Sequence, residues 1–201
     1  MSGFEMVFAL FGLLLGLAIA ELLTGFAHSW KARLRAETRG AEPVRVGWLV
    51  PLLGLLVIMD QTAFWLYAYS LRDAIPLTFL SLLAVLAVVG GYYLLATFVF
   101  PDEPDAWPDY DDYYLRTNRI VVGGMIAINV ALIAFAAALE ASGLRIEETE
   151  GRGAVSDAAL LLAAPALIAL FFVKSKRANL ALLVALNALV LVEAAAVAAG
   201  M

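Results

Sequence analysis

Apolar positions along this chain come in blocks rather than at intervals. Six runs hold few charged residues, and each is long enough to cross a bilayer as a helix, which takes about 20 apolar residues. They fall at 3–27, 46–70, 75–100, 120–141, 154–173 and 178–199. The pattern predicts an all-α fold, a polytopic transmembrane bundle of six helices forming one domain over residues 1–201. Two connections, "LRDAI" at 71–75 and "KSKRAN" at 174–179, are tight turns. They make helices two and three, and five and six, expected antiparallel neighbours. Pro76 suits the first turn of the third helix. Pro165, inside the fifth, can kink it and free a carbonyl.

Composition agrees with the pattern. Apolar residues make up 64% of the chain and charged ones 15%, against about 25% charged in a typical soluble domain. The "AIA" at 18–20 resembles a signal-peptidase site. A signal peptide, however, has a basic start and a short apolar core. Here the start, "MSGFEM", carries no lysine or arginine, and the run continues through "LLTGFA". Helix one is therefore expected to be retained.

Basic residues give the direction of insertion, because loops rich in them stay in the cytoplasm. Ten of the thirteen lie in the first, third and fifth connections: Lys31, Arg33, Arg35, Arg39, Arg45, Arg116, Arg119, Lys174, Lys176 and Arg177. Arg72, Arg145 and Arg152 lie on the other side. Both termini are thus expected outside the cytoplasm. Trp30 and Trp48 flank the first inner connection, where indoles favour the headgroup layer. The basic stretch after Lys31 can continue helix one, and beyond its topological role it could meet anionic lipid.

The third connection, "PDEPDAWPDYDDYYLRTNR", concentrates six acids: Asp102, Glu103, Asp105, Asp109, Asp111 and Asp112. It lacks the glycine turn and late bidentate glutamate of a calcium loop. The simpler expectation is that "PDYDD" sets acids at the amino-terminal end of helix four, where the helix dipole favours them. A cytoplasmic partner could also read this patch.

The absent residue types exclude whole classes of chemistry. With no cysteine and one histidine, thiolate and multi-histidine metal sites are out, and nucleophile–base pairs are scarce. No lysine lies inside a helix for a Schiff base, and no glycine-rich phosphate loop is present. A net charge of −5 argues against a nucleic-acid partner. No enzymatic activity, cofactor or metal is expected.

What remains is a set of polar residues in apolar surroundings. Helix one carries Glu21, with Thr24 and His28 on the same broad face. Gly12, Gly16, Ala20, Thr24 and His28 recur every four residues, a spacing that lets another helix approach closely. Helix two carries Asp60 and Gln61 near its midpoint. Helix four offers Asn129 at its centre and Glu140 at its outer end, and helix six offers Asn187 and Glu193. Helices three and five carry no internal charge and are expected to pack or face lipid. An Asp at a helix centre costs about 2.5–3.5 kcal/mol to insert, and each Leu, Ile, Phe or Val returns about 0.3–0.6. Eleven such residues between Val46 and Ser70 return roughly 3–7 kcal/mol on that scale, so helix two inserts without a partner for Asp60. No basic residue lies within any span, so the carboxyl is expected to bond a neighbour such as Gln61, Asn129 or Asn187.

Two readings of these acids follow. They are polar glue between helices, each bond worth well under 2 kcal/mol, or they mark a proton or ion path. The functional expectation is a proton or ion channel, or a small-solute transporter. Glu21, Asp60, Glu193, Asn129, Thr24 and Gln61 would line its path, and the chain would assemble as a homo-oligomer in the lipid bilayer. His28 would sense pH, or simply place a cation at a helix end. The rival is a non-transporting accessory subunit or sensor of a larger membrane complex, interacting through the acidic loop. Three helices followed by three also allow an inverted repeat, as in many transporters.

"FGLLLGLAIAELLTG" at 11–25, with "FPDEP" and "DYYLRTNR", resembles a group of small bacterial inner-membrane proteins in which a helix of pattern LGLxIxxLLxG accompanies an aromatic–basic entry to a later helix. The resemblance covers helix one and the third connection. It implies the bacterial inner membrane and transfers no site residues.

Overall fold

The computed structural model describes residues 3–39, 45–71, 78–103, 106–141 and 154–199. Six helices follow one another: α1 (Gly3–Arg39), α2 (Leu49–Ser70), α3 (Phe79–Thr97), α4 (Tyr110–Ala141), α5 (Ala154–Phe172) and α6 (Lys176–Ala199). Five carry a stretch long and apolar enough to cross a membrane: Phe11–Leu34, Leu49–Ser70, Phe79–Thr97, Tyr110–Ala141 and Lys176–Ala199. The apolar stretch of α5, Asp157–Phe172, is shorter. An all-helical bundle of this apolarity is consistent with an integral membrane protein. The expected turn at 71–75, apart from Leu71, lies outside the described residues, as do Arg72, Pro76, Arg145 and Arg152.

Two helices run further than their apolar blocks. The basic stretch after Lys31 does continue α1, to Arg39. Helix α4 begins at Tyr110, well before the apolar block at 120, because the dipole of its first turn is complemented by Asp111 and Asp112. Asp109 caps it by accepting from the Asp111 N–H at 2.8 Å. Helix α3 starts on a capping box in which Thr78 and Ser81 bond each other's backbone N–H, at 3.1 and 2.9 Å.

Packing departs from chain order. Helix α1 lies chiefly along α3, α2 along α6, and α5 along α6, while α2 and α3 touch only lightly. Closeness in the chain therefore does not make α2 and α3 close partners along their length. The two halves do not pack alike either: α1 and α3 lie together, whereas α5 takes most of the contact with α6. That asymmetry does not support an inverted repeat.

Helix α1 also turns a different stripe inward. Phe11, Leu15, Ala18, Leu22, Ser29 and Ala32 are buried, whereas Gly16, Ala20, Thr24 and His28 are exposed. The inner face mixes large apolar residues with small ones, so small size alone does not select it. Close approach occurs at Gly25 instead, where a Cβ would collide with the Phe100 ring at the end of α3. Phe100 packs edge-on against Phe26 at 4.8 Å.

The end where α1 stops, α2 starts, α3 stops and α4 starts is called the base here. Its three connections are tied together. The Arg45 N–H donates to Pro108 O at 2.9 Å, and the Tyr110 N–H returns a bond to Arg45 O at 3.0 Å. Helix α2 has no capping side chain of its own. Asp111 of α4 accepts from its Leu49 N–H at 3.4 Å, an approach that needs a glycine at Gly47. Lys176, which opens α6, reaches Asp109 at 3.1 Å and Asp112 at 2.7 Å. Tyr113 donates to the carbonyls of Phe98 and Phe100, and buried Tyr114 donates to Asn179 Oδ1 at 2.8 Å.

Candidate functional site

Asp60 sits at the middle of α2, half-buried. Two other helices supply its partners. The Tyr92 hydroxyl of α3 donates to Oδ2 at 2.8 Å, and Asn129 Nδ2 of α4 donates to Oδ1 at 3.3 Å. Asn129 is held in place by a second bond, from Nδ2 to Met125 O at 2.9 Å. Each carboxyl oxygen thus meets one neutral donor, and among the described residues no cation pairs with it. That arrangement tolerates either protonation state: a carboxylate accepts both bonds, and a neutral carboxyl can donate to the Tyr92 oxygen once that hydroxyl turns.

Tyr92 corrects the expectation that α3 only packs. It is fully buried, with its ring against Phe64 of α2 at 5.5 Å. Phe64 meets Phe11 of α1, and Phe8 joins Phe11, Trp65 and Tyr69. Aromatic rings therefore pack the α1–α2–α3 side beyond Asp60, away from the base.

Gln61, next in sequence, points elsewhere. It is completely buried, and neither amide atom has a hydrogen-bond partner among the described residues. It shares a face of α2 with Gly54, which approaches Phe26, and with Trp65, which packs on Phe8. That face meets α1. An unmatched buried amide costs about 1–3 kcal/mol for each lost bond. Asn187 of α6 is buried as well, and its Nδ2 donates to Leu52 O at 3.2 Å and Leu183 O at 2.7 Å. It braces α6 on α2 and does not reach Asp60.

No family model, curated protein or solved structure matches the chain.

The remaining sequence-marked residues are scattered. Glu21 is half-buried on α1, one turn toward the base from Leu17. Leu14 and Leu17, with Leu86, Val89, Gly90 and Tyr93 of α3, line an open apolar groove of about 200 Å³. Glu21 makes no hydrogen bond or ion pair to another described side chain, and the structure does not bring it to Asp60. Thr24 and His28 are exposed. Because α1 runs on to Arg39, His28 lies three turns short of the helix end, too far for its charge to complement the dipole. Glu193 is half-buried toward the far end of α6. Of the expected path, the structure gathers Asp60 and Asn129, and adds Tyr92.

Among the described residues no cluster of acids and histidine is arranged to hold a metal ion. At the base, Asp109 and Asp112 share Lys176. Arg116 lies over the Trp107 ring at 5.1 Å, and Trp107 packs edge-on against Tyr113. Much of the acidic loop is thereby occupied in holding the fold, with Asp102 and Glu103 left exposed.

Proposed function

We propose that the protein lies in the bacterial inner membrane with its base in the cytoplasm and passes protons, cations or a small solute through a centre at Asp60. One observation carries this reading. Three helices converge on a single carboxyl at mid-span, and among the described residues only neutral donors hold it. Helices can be linked by neutral side chains alone, and a carboxyl adds the cost of a charge that such a link does not need. An intramembrane acid is by default a candidate for a proton or ion path. Tyr92 and Asn129 position the carboxyl, and Glu21 and Glu193 stand apart from it as accessory acids. Assembly as a homo-oligomer belongs to the same proposal.

The test is flux in proteoliposomes loaded with a pH-sensitive dye. Asp60→Asn keeps the shape of the side chain and its bond to Tyr92, so the protein should still assemble while flux is lost. Glu21→Gln should leave a larger residue. Unchanged flux in Asp60→Asn sinks the proposal.

The exposed small-residue face of α1, Gly16, Ala20 and Thr24, supports a second reading, in which the chain is an accessory subunit of a larger membrane complex. Co-purification at fixed stoichiometry with a larger assembly in mild detergent would favour it.

A further inference from the structure

The seam between α4 and α5 is charged at one end and bare at the other. Two contacts set its register near the base. A Cβ on Gly123 of α4 would meet the Phe171 ring of α5 at 3.1 Å, and Lys176 reaches Asp109 and Asp112 at the start of α4. Between these contacts α4 carries Arg116 and Arg119, which share a face with Asp112 and Gly123 through spacings of three and four residues. The connection from Phe171 to Lys176 passes alongside them and carries Lys174. All three cations are exposed. Asp109 and Asp112 are taken by Lys176, and among the described residues no acid pairs with Arg116, Arg119 or Lys174. Further from the base the same two helix faces are uncovered. Val130, two turns beyond Gly123, is 59% exposed, and Leu160, three turns before Phe171, is 48% exposed. From Arg119 to the end of α4 at Ala141 the axis rises about 33 Å, close to the roughly 30 Å of a hydrocarbon core. The cations therefore stand at the edge of that core on the base side, and the bare faces lie within it.

We infer that this seam binds an anionic phospholipid from the leaflet at the base, with Arg116, Arg119 and Lys174 around its phosphate and an acyl chain along Val130 and Leu160. Charge complementarity is the first argument. Like charges three residues apart on a helix repel, and an anion between them turns that cost into attraction. Arginine adds a planar fork that fits phosphate oxygens. The order of the features is the second argument: charge at the membrane edge and apolar surface inside it, as in the lipid itself. Basic pockets between transmembrane helices hold headgroups in this way. A free phosphate or an acidic protein segment would answer the charge and leave Val130 and Leu160 bare. The bound lipid would join α4 to α5, whose apolar stretch is the short one. The site rests on the membrane setting and stands whether or not Asp60 conducts.

The experiment uses the full chain in mild detergent, with native mass spectrometry to measure retention of dioleoyl phosphatidylglycerol against dioleoyl phosphatidylcholine. The anionic lipid should be retained severalfold more strongly. Arg119→Gln and Lys174→Gln should each weaken its retention about fivefold. Lys31→Gln and Arg177→Gln, which remove exposed cations elsewhere at the base, should leave it unchanged. Val130→Trp fills the space for the acyl chain and should weaken retention without altering charge, so it carries the test should the charge variants fail to fold. Equal retention of the two lipids overturns the inference, as does an equal loss in the Lys31 and Arg177 variants or no loss in those of the seam. Displacement of the lipid by inorganic phosphate or by a polyglutamate peptide would make the occupant a free anion or an acidic segment, and overturns it too. Flux is not read, so no result here touches the conduction proposal.

Discussion

Acids hold two regions of this protein together, and they do so by opposite means. At the base, Asp109 and Asp112 face Lys176, and Asp109 and Asp111 accept backbone N–H groups as well. At mid-span, Asp60 faces only a phenol and an amide. The base has water within reach, so charge there is cheap and its pairing stabilises modestly. The centre lies among apolar helices, so a charge there is costly and no cation among the described residues offsets it. The contrast separates acids that hold the fold from an acid retained although its charge is a burden.

Substitutions that pull the two regions apart should show this in different readouts. The largest effect on stability belongs to the base, and within it to Tyr114 rather than to the ion pairs. Tyr114→Phe leaves Asn179 Oδ1 buried without its donor, and should cost about 1–3 kcal/mol of stability with little change in flux. Asn179 would keep its bonds to Val173 O and Ser175 O, which hold the loss within that range. Tyr92→Phe is the matching change at the centre. It removes one donor from a carboxyl that retains Asn129, so it should alter the pH dependence of flux more than thermal stability. Equal effects of the two variants on both readouts would erase the distinction. Smaller again is Lys176→Ala. Its side chain is 40% exposed, so thermal unfolding should register a loss of about 0.2–1 kcal/mol, diminished further by high salt.

The sequence alone carried the helical class and most of this division of labour, but not the partners. Six apolar blocks became six helices because a run of apolar residues needs no tertiary information to be recognised. The acids of "PDYDD" could be placed at the start of α4 because a cap and a helix dipole are local. Asp60 stood out for being charged among apolar neighbours, and Asn129 was among the partners expected for it. Tyr92 escaped notice because a tyrosine in an apolar helix reads as a membrane-interface residue. Its depth becomes visible only when α3 is set against α2. The one clue was that a hydroxyl far from an interface needs a partner. The stripe of Gly16, Ala20 and Thr24 misled for a related reason: spacing shows that residues share a face, not which face is covered. Lys176 and Asp109 lie 67 residues apart, and no local pattern joins them.

The subtlest effect concerns acid sensitivity at the base. Burial alone would raise the pKa of Asp109. Hydrogen bonds from Lys176 and from the Asp111 N–H, with the charges of Lys176 and Arg45, outweigh burial and hold the carboxyl below its ordinary range. A carboxyl depressed by folding binds its proton less tightly in the folded chain than in the unfolded one. Its contribution is therefore fully present above the unfolded value of about 3.9, and it fades as pH falls through the lower, folded value. The melting temperature of the purified protein in detergent should accordingly decline as pH drops below about 4. Asp109→Asn, which keeps an acceptor for the Asp111 N–H, should flatten that decline while lowering stability slightly at neutral pH. Because the Asp109 side chain is 26% exposed, the difference should shrink in high salt. An acid limb identical in the two proteins would mean that Asp109 holds α4 and α6 by its hydrogen bonds and not by its charge, and the ionic side of the comparison would fall with it.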